Sequence, residues 1–433
     1  MNRGKWWLVM AGALVLYGAA SEPFPQEPGL FEAAIGLLLV YSVAASGGPL
    51  CLMRTAVGRG ERSWVGRSVV LLFGCFLLVP LLVGITHGWA PWDVTRDVIP
   101  LLYLFLPLLI LNRRSAVGKA QTDALMYALA FGGVLIAFRY FLKTGVSPLA
   151  LGRDYSPETT HLFAYDPSVV FAAIVLPLKA IERFRCDIKS MAITLVMLVG
   201  AGLCISALGL SFLRAPLGLT VLAYVVGIWW LGKRRGKAVW IWSGVFALIV
   251  AIAIHKQLAG LVHWLAWKTG RYGVDGKFEE LHAVWSLVRG SGGALVYGFG
   301  WGSVFADPVN TGKLTSFAHS LITYSLLKAG LIGVAGILAY LAWLAGKLGA
   351  WAREDMTLAL GIGAVVIIGL FFQPVFKTLS FGAILMLISV RWMQWESGKL
   401  VPNSAVSVDK SERTRQAIKS ATGPMTGTAG HGP

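Results

Sequence analysis

Residues 320–345 read SLITYSLLKAGLIGVAGILAYLAWLA, a run in which Lys328 is the one charged side chain. As a helix rising about 1.5 Å per residue, such a run is long enough to cross the roughly 30 Å hydrocarbon core of a bilayer. Apolar runs recur from end to end of the 433 residues, near 6–20, 30–46, 68–86, 97–112, 122–142, 166–181, 190–208, 216–232, 238–256, 356–372 and 378–395. Composition agrees, with 56% hydrophobic and 14% charged residues, where a soluble chain carries about 25% charged. No segment alternates as a barrel strand does. The expected fold is all-α, a polytopic integral membrane protein with about 12 transmembrane helices. WWLVMAGALVLYGAA (6–20), behind Arg3 and Lys5, has the outline of a signal peptide, but a second apolar run follows closely, so it reads as a retained helix.

A net charge of +17 raises the question of a nucleic-acid partner. The distribution answers it. Arg54, Arg59, Arg62 and Arg67 fall between the second and third runs. Arg113, Arg114 and Lys119 follow the fourth, Arg183, Arg185 and Lys189 the sixth, and Lys233, Arg234, Arg235 and Lys237 the eighth. These clusters occupy alternate connections, as the positive-inside rule requires of cytoplasmic loops. The excess charge is therefore topological and no nucleic acid is expected. Both termini are expected in the cytoplasm. Cys51, Cys75, Cys186 and Cys204 show no CxxC spacing and read as packing residues, with neither disulfide nor metal site expected.

On the opposite face two connections are long, 143–165 and 257–319, and connections of the second one's length are usually functional. Within it LAGLVHWLAW (258–267) is too short to span and suits an interfacial position. FEELHAVWSLVR (278–289) spaces Phe278, Leu281, Trp285 and Val288 as one helical face, for packing on the membrane surface or on the bundle. GGALVYGFGWGSVF (292–305) is Gly-rich but lacks the Gly-Lys-Ser/Thr of a phosphate loop. Residues 1–395 thus form the membrane domain, and 396–433, polar and basic, a disordered cytoplasmic tail.

The informative cations are those outside the cytoplasmic clusters. Arg214 lies in a very short outer turn, SFLRAPLG; Arg139 is in the outer part of the fifth run; Arg153 is in the first long connection, and Arg271 and Arg289 are in the second. Several arginines at one face can hold a diphosphate, because the guanidinium fork matches phosphate oxygens two at a time; snorkelling to lipid headgroups is the plainer role. His319 immediately precedes the run quoted above. An ionisable group at a membrane edge is a functional candidate by default, and imidazole is the side-chain type best suited to accept a proton near neutral pH.

From His319 to Gly333 the chain matches His-[Asn/Ser/Gln]-x9-Gly-x-x-[Gly/Thr/Tyr], through Ser320, Gly330 and Gly333. In this it resembles the bacterial O-antigen ligases, part of a wider superfamily with O-antigen polymerases and oligosaccharyltransferases. The resemblance covers most of the chain: many spans, a large periplasmic loop before the histidine, an arginine in a tight turn (Arg214) and another in the loop (Arg271). Asp166-Pro167-Ser168 stands where the superfamily often has an Asn-Pro-Asn-like turn. Trp285 is farther beyond Arg271 than the family's tryptophan is from its loop arginine.

The resemblance implies a GT-C-like fold in the bacterial inner membrane with a periplasmic active site. It also implies transfer of a glycan from undecaprenyl diphosphate to a sugar hydroxyl of lipid A–core, inverting, without metal or other cofactor. His319 would be the base, and Arg214, Arg271 and Arg153 would face the diphosphate, with Arg289 and Arg139 as further candidates. Membrane lipids are the remaining partners. A polymerase using the same donor is the near alternative, and a transporter or flippase, which Lys328 could serve, the distant one.

Overall fold

The computed structural model describes residues 5–22, 29–47, 49, 76–110, 118–150, 161–185, 187–253, 255–272, 276–308, 312–316 and 318–400. About 83% of these are helical. The helices are α1 (Trp6–Ala20), α2 (Leu30–Ser46), α3 (Phe76–Thr86), α4 (Pro91–Leu104), α5 (Leu106–Ile110), α6 (Lys119–Thr144), α7 (His161–Ala164), α8 (Pro167–Arg183) and α9 (Ile188–Leu210). They continue with α10 (Arg214–Arg235), α11 (Lys237–Ala253), α12 (His255–Tyr272), α13 (Lys277–Arg289), α14 (Ala294–Tyr297), α15 (Leu321–Ala352), α16 (Met356–Phe371) and α17 (Leu379–Leu400). Four of them, α6, α9, α10 and α15, are long and apolar enough to cross a membrane, and α1, α2, α3 and α16 are shorter apolar helices. A hairpin pairs Phe305 with Thr315 and Ala306 with Leu314. The last helix runs through Leu400, past the expected start of the tail; the rest of that tail lies outside the described residues. Of the cysteines, Cys204 is buried, and Cys51, Cys75 and Cys186 lie outside the described residues.

Helices in lipid gain little from excluding water, so close backbone approach and buried hydrogen bonds decide their packing. α1 and α6 cross at Gly18 and Gly132, where a Cβ on Gly18 would lie 2.5 Å from the Gly132 Cα. Three elements meet at Asp166, the buried N-cap of α8. It accepts hydrogen bonds from Tyr17 Oη of α1 (2.6 Å), Ser380 Oγ of α17 (2.9 Å) and its own Ser168 amide (2.9 Å). At the other end of α8, Lys179 bridges Glu182 and Asp355, each at 2.7 Å, and so ties α8 to the start of α16.

The fold's main irregularity is in the segment quoted at the outset. Gly330 has φ +63° and ψ −159°, which divides α15 into 321–329 and 331–352. A side chain there would be strained by φ alone, and its Cβ would sit 2.5 Å from the Val296 carbonyl. The break leaves carbonyls at the end of the short half without helical donors. Phe299 N–H donates to Leu327 O (2.9 Å) and Gly300 N–H to Lys328 O (3.0 Å). The Gly-rich stretch after α14 is therefore a wedge seated in the broken helix. Its far side is fixed to α3, where Pro80 O accepts from Trp301 N–H (2.9 Å) and Leu77 O from the indole Nε1 (3.0 Å).

Candidate active site at the head of the broken helix

Ser320 is the N-cap of α15. Its Oγ accepts the Thr323 amide at 3.0 Å and pairs with the Thr323 hydroxyl at 2.8 Å. The cap places His319 directly before the first turn. Glu280 of α13 then grips His319 twice: Oε1 accepts its backbone N–H at 2.8 Å, and Oε2 lies 2.6 Å from Nδ1. An ionised carboxylate only accepts, so Nδ1 carries the hydrogen opposite it; in the neutral ring Nε2 is then the nitrogen with the lone pair. The histidine side chain is 36% exposed and the glutamate 3%.

The face of α13 that docks on the bundle is therefore Glu280, Val284 and Val288; of the expected row of Phe278, Leu281, Trp285 and Val288, only Val288 lies on it, and the other three are exposed. Val284 and Val288 pack with Leu326, Leu327 and Phe305. Two buried valines contribute about 1.5–3 kcal/mol each, while an unpaired buried carboxylate costs several kcal/mol. The helix docks this way because His319 supplies both donors. Phe278, Leu281 and Trp285 are left for the other expected support, a membrane surface.

A second polar cluster adjoins this one. Asp97 of α4 is fully buried. Lys328, also fully buried, pairs with its Oδ2; Lys377 reaches Oδ1 at 3.5 Å, and the Gly302 amide of the wedge donates to Oδ2 at 2.9 Å. Lys328 donates as well to Ser303 O. Burial pushes the Lys377 ammonium below the usual lysine range, opposed by Asp97. Lys377 also faces the Tyr324 ring at 4.3 Å. Arg96 pairs with Asp93 at 2.9 Å and donates to Ser316 Oγ at 2.6 Å, which ties α4 to the strand that leads into His319.

The expected arginines divide. Arg214 opens α10 and donates to Thr269 Oγ1 of α12 at 3.1 Å, two residues before Arg271 on the same helix. The structure thus brings Arg214 to the helix that carries Arg271, whose side chain lies outside the described part, as does all of Arg153. Arg289 is exposed in the last turn of α13. Arg139 is engaged within the fold. Its guanidinium donates to the carbonyls of Gly18 (3.1 Å), Ser21 (2.7 Å) and Ala20 (3.3 Å) and lies over the Phe163 ring, so it closes the C-terminal end of α1. Arg139→Ala should remove about 1–2 kcal/mol of stability, read as a lower melting temperature of the detergent-solubilised protein. An unchanged melt would make Arg139 a ligand-binding arginine again.

Glu280, Arg96 and Lys377 were missed. The rule that singled out Arg214, a cation outside the cytoplasmic clusters, applies equally to Arg96 and Lys377. Glu280 stands at the spacing of Val284 and Val288, and an acid on an apolar helical face is the signal that marks it. Neither the family models nor the curated proteins compared with the chain give a match.

Proposed function

We propose that this chain is a glycosyltransferase of the O-antigen ligase kind, with about 12 membrane spans in a GT-C-like arrangement and His319 at the periplasmic face. The observation that carries the reading is the Glu280–His319 pair at the head of a capped, broken helix. In the proposed reaction the acceptor, a sugar hydroxyl of lipid A–core, attacks the anomeric carbon of a glycan carried on undecaprenyl diphosphate. Nε2 takes the hydroxyl proton, and Glu280 offsets the positive charge the ring then acquires. The C–O bond to the diphosphate breaks as the new glycosidic bond forms, and single displacement inverts the anomeric centre. Arg214 and Arg271 stabilise charge developing on the leaving diphosphate. The donor is already activated, so no nucleotide is required.

Purified protein, lipid-linked glycan and lipid A–core, incubated without added metal or nucleotide, should give the joined product; its absence would sink the proposal. Arg214→Lys should lose roughly ten- to a hundredfold in transfer rate, because a point charge does not reproduce a bidentate fork. Retained activity would remove Arg214 from the diphosphate. Deletion separates ligase from polymerase: loss of a ligase leaves polymerised glycan on its carrier, and loss of a polymerase leaves at most single repeats on the core.

One observation favours a transporter instead. A helix broken beside a buried Lys–Asp pair is the kind of discontinuous element that such proteins place at substrate and ion sites. Counterflow uptake of an anionic lipid or solute by proteoliposomes, with no glycan transfer, would establish that reading.

A further inference from the structure

Arg96, Lys328 and Lys377 come from α4, the short half of α15 and the segment between α16 and α17. They converge on a small region. Inside it two lysines share the single carboxylate of Asp97, and at its rim Arg96 is matched by Asp93. Three cations thus face two carboxylates, and the surplus charge falls on the interior side, where uncompensated charge is most unfavourable. Lys377 is the looser partner. Lys328 contacts Asp97 closely and is sealed off, whereas Lys377 stands at 3.5 Å and its side chain is 13% exposed. Arg96 is 46% exposed. Both of its described contacts use Nη2, and a guanidinium has five N–H donors. One sealed lysine, one slightly exposed lysine and one half-exposed arginine fork offer donors suited to a multiply charged anion with several oxygens.

The location identifies which anion. Ser316, held by Arg96, is three residues before His319, a separation that extended chain limits to about 11 Å. Tyr324, whose ring faces Lys377, is just over one helical turn beyond His319. We propose that Arg96 and Lys377 form an anion subsite beside His319 that holds the diphosphate of the lipid-linked donor. The assignment rests on the glycan-transfer reading for the donor's identity but not for the anion site itself. It gives the leaving group a second clamp, separate from Arg214 and Arg271, and Lys328 fixes the Asp97 carboxylate that Lys377 reaches.

The test is a binding measurement on the full-length protein in detergent. Thermal shift is followed against inorganic diphosphate, undecaprenyl diphosphate and phosphatidylglycerol. Both diphosphates should raise the melting temperature of the parent, and phosphatidylglycerol should not. Lys377→Met keeps the Lys328 partner of Asp97, and Arg96→Ala removes a half-exposed side chain. Each should weaken diphosphate binding by about 10- to 100-fold. If Lys377→Met does not fold, Arg96→Ala decides. No shift in the parent, or parent-like binding by the folded variants, overturns the proposal. An equal response to phosphatidylglycerol makes it a phospholipid site and overturns the diphosphate assignment. Diphosphate binding lost in the variants, with no glycan transfer by the parent, leaves this inference standing and removes the proposed reaction. Transfer by the parent with binding intact in both variants removes the inference alone.

Discussion

Glu280→Gln should reduce glycan transfer by about 10³- to 10⁴-fold with little change in folding. The substitution keeps size and shape, and the amide oxygen can still accept the His319 backbone N–H, now bonded at 2.8 Å to Oε1. The change falls at the other atom. An amide NH2 opposite Nδ1 is a donor, so the ring must present Nδ1 as acceptor and carry its hydrogen on Nε2, the nitrogen that has to take the acceptor's proton. The carboxylate's compensation of the imidazolium is lost as well. His319→Ala should cost at least about 10²- to 10⁴-fold, the usual worth of a positioned base. The double variant should be no worse than the poorer single one, because groups that act as a unit are not additive. Initial rates with saturating lipid-linked glycan check all three. A Glu280→Gln protein within a few-fold of the parent would show that the pair only docks α13.

Asp97→Ala should be the most destabilising of the substitutions considered, by about 3–5 kcal/mol. It removes the one carboxylate that Lys328 and Lys377 share and leaves Lys328, fully buried, with a single carbonyl acceptor at Ser303. It also releases the Gly302 amide and so loosens the wedge. Adding Lys328→Met should recover much of the loss, since a buried pair replaced as a whole by apolar atoms is often neutral. Thermal melting with size-exclusion monodispersity reads both effects. An Asp97→Ala protein that melts with the parent would mean that water or lipid already reaches the cluster.

The helical architecture was legible because lipid-length apolar runs and alternating basic loops are local signals. Gly330 was legible only as a motif letter: its positive φ depends on the wedge, and the wedge looked like a Gly-rich loop until Trp301 and Pro80 were seen together. Glu280 was hidden by amphipathicity. The aromatic row with Trp285 gives α13 a plausible apolar face, and nothing local says that the bundle takes the face with the acid. The contacts of Arg139 were hidden for a related reason. Its partners are backbone carbonyls at the end of α1, and carbonyls leave no trace in a residue pattern. The Lys328–Asp97 pair spans most of the chain, so each half looked like an isolated charge.

The break at Gly330 also separates two mechanical duties. Membranes differ in thickness, and helices answer hydrophobic mismatch by tilting. In α15 the short half is anchored by the wedge, α13 and Asp97, and the long half, 331–352, separately, with Tyr340 Oη donating to Leu104 O of α4 at 2.9 Å. The position of His319 is thus set by the short half and its own anchors, whatever lipid thickness asks of the long half.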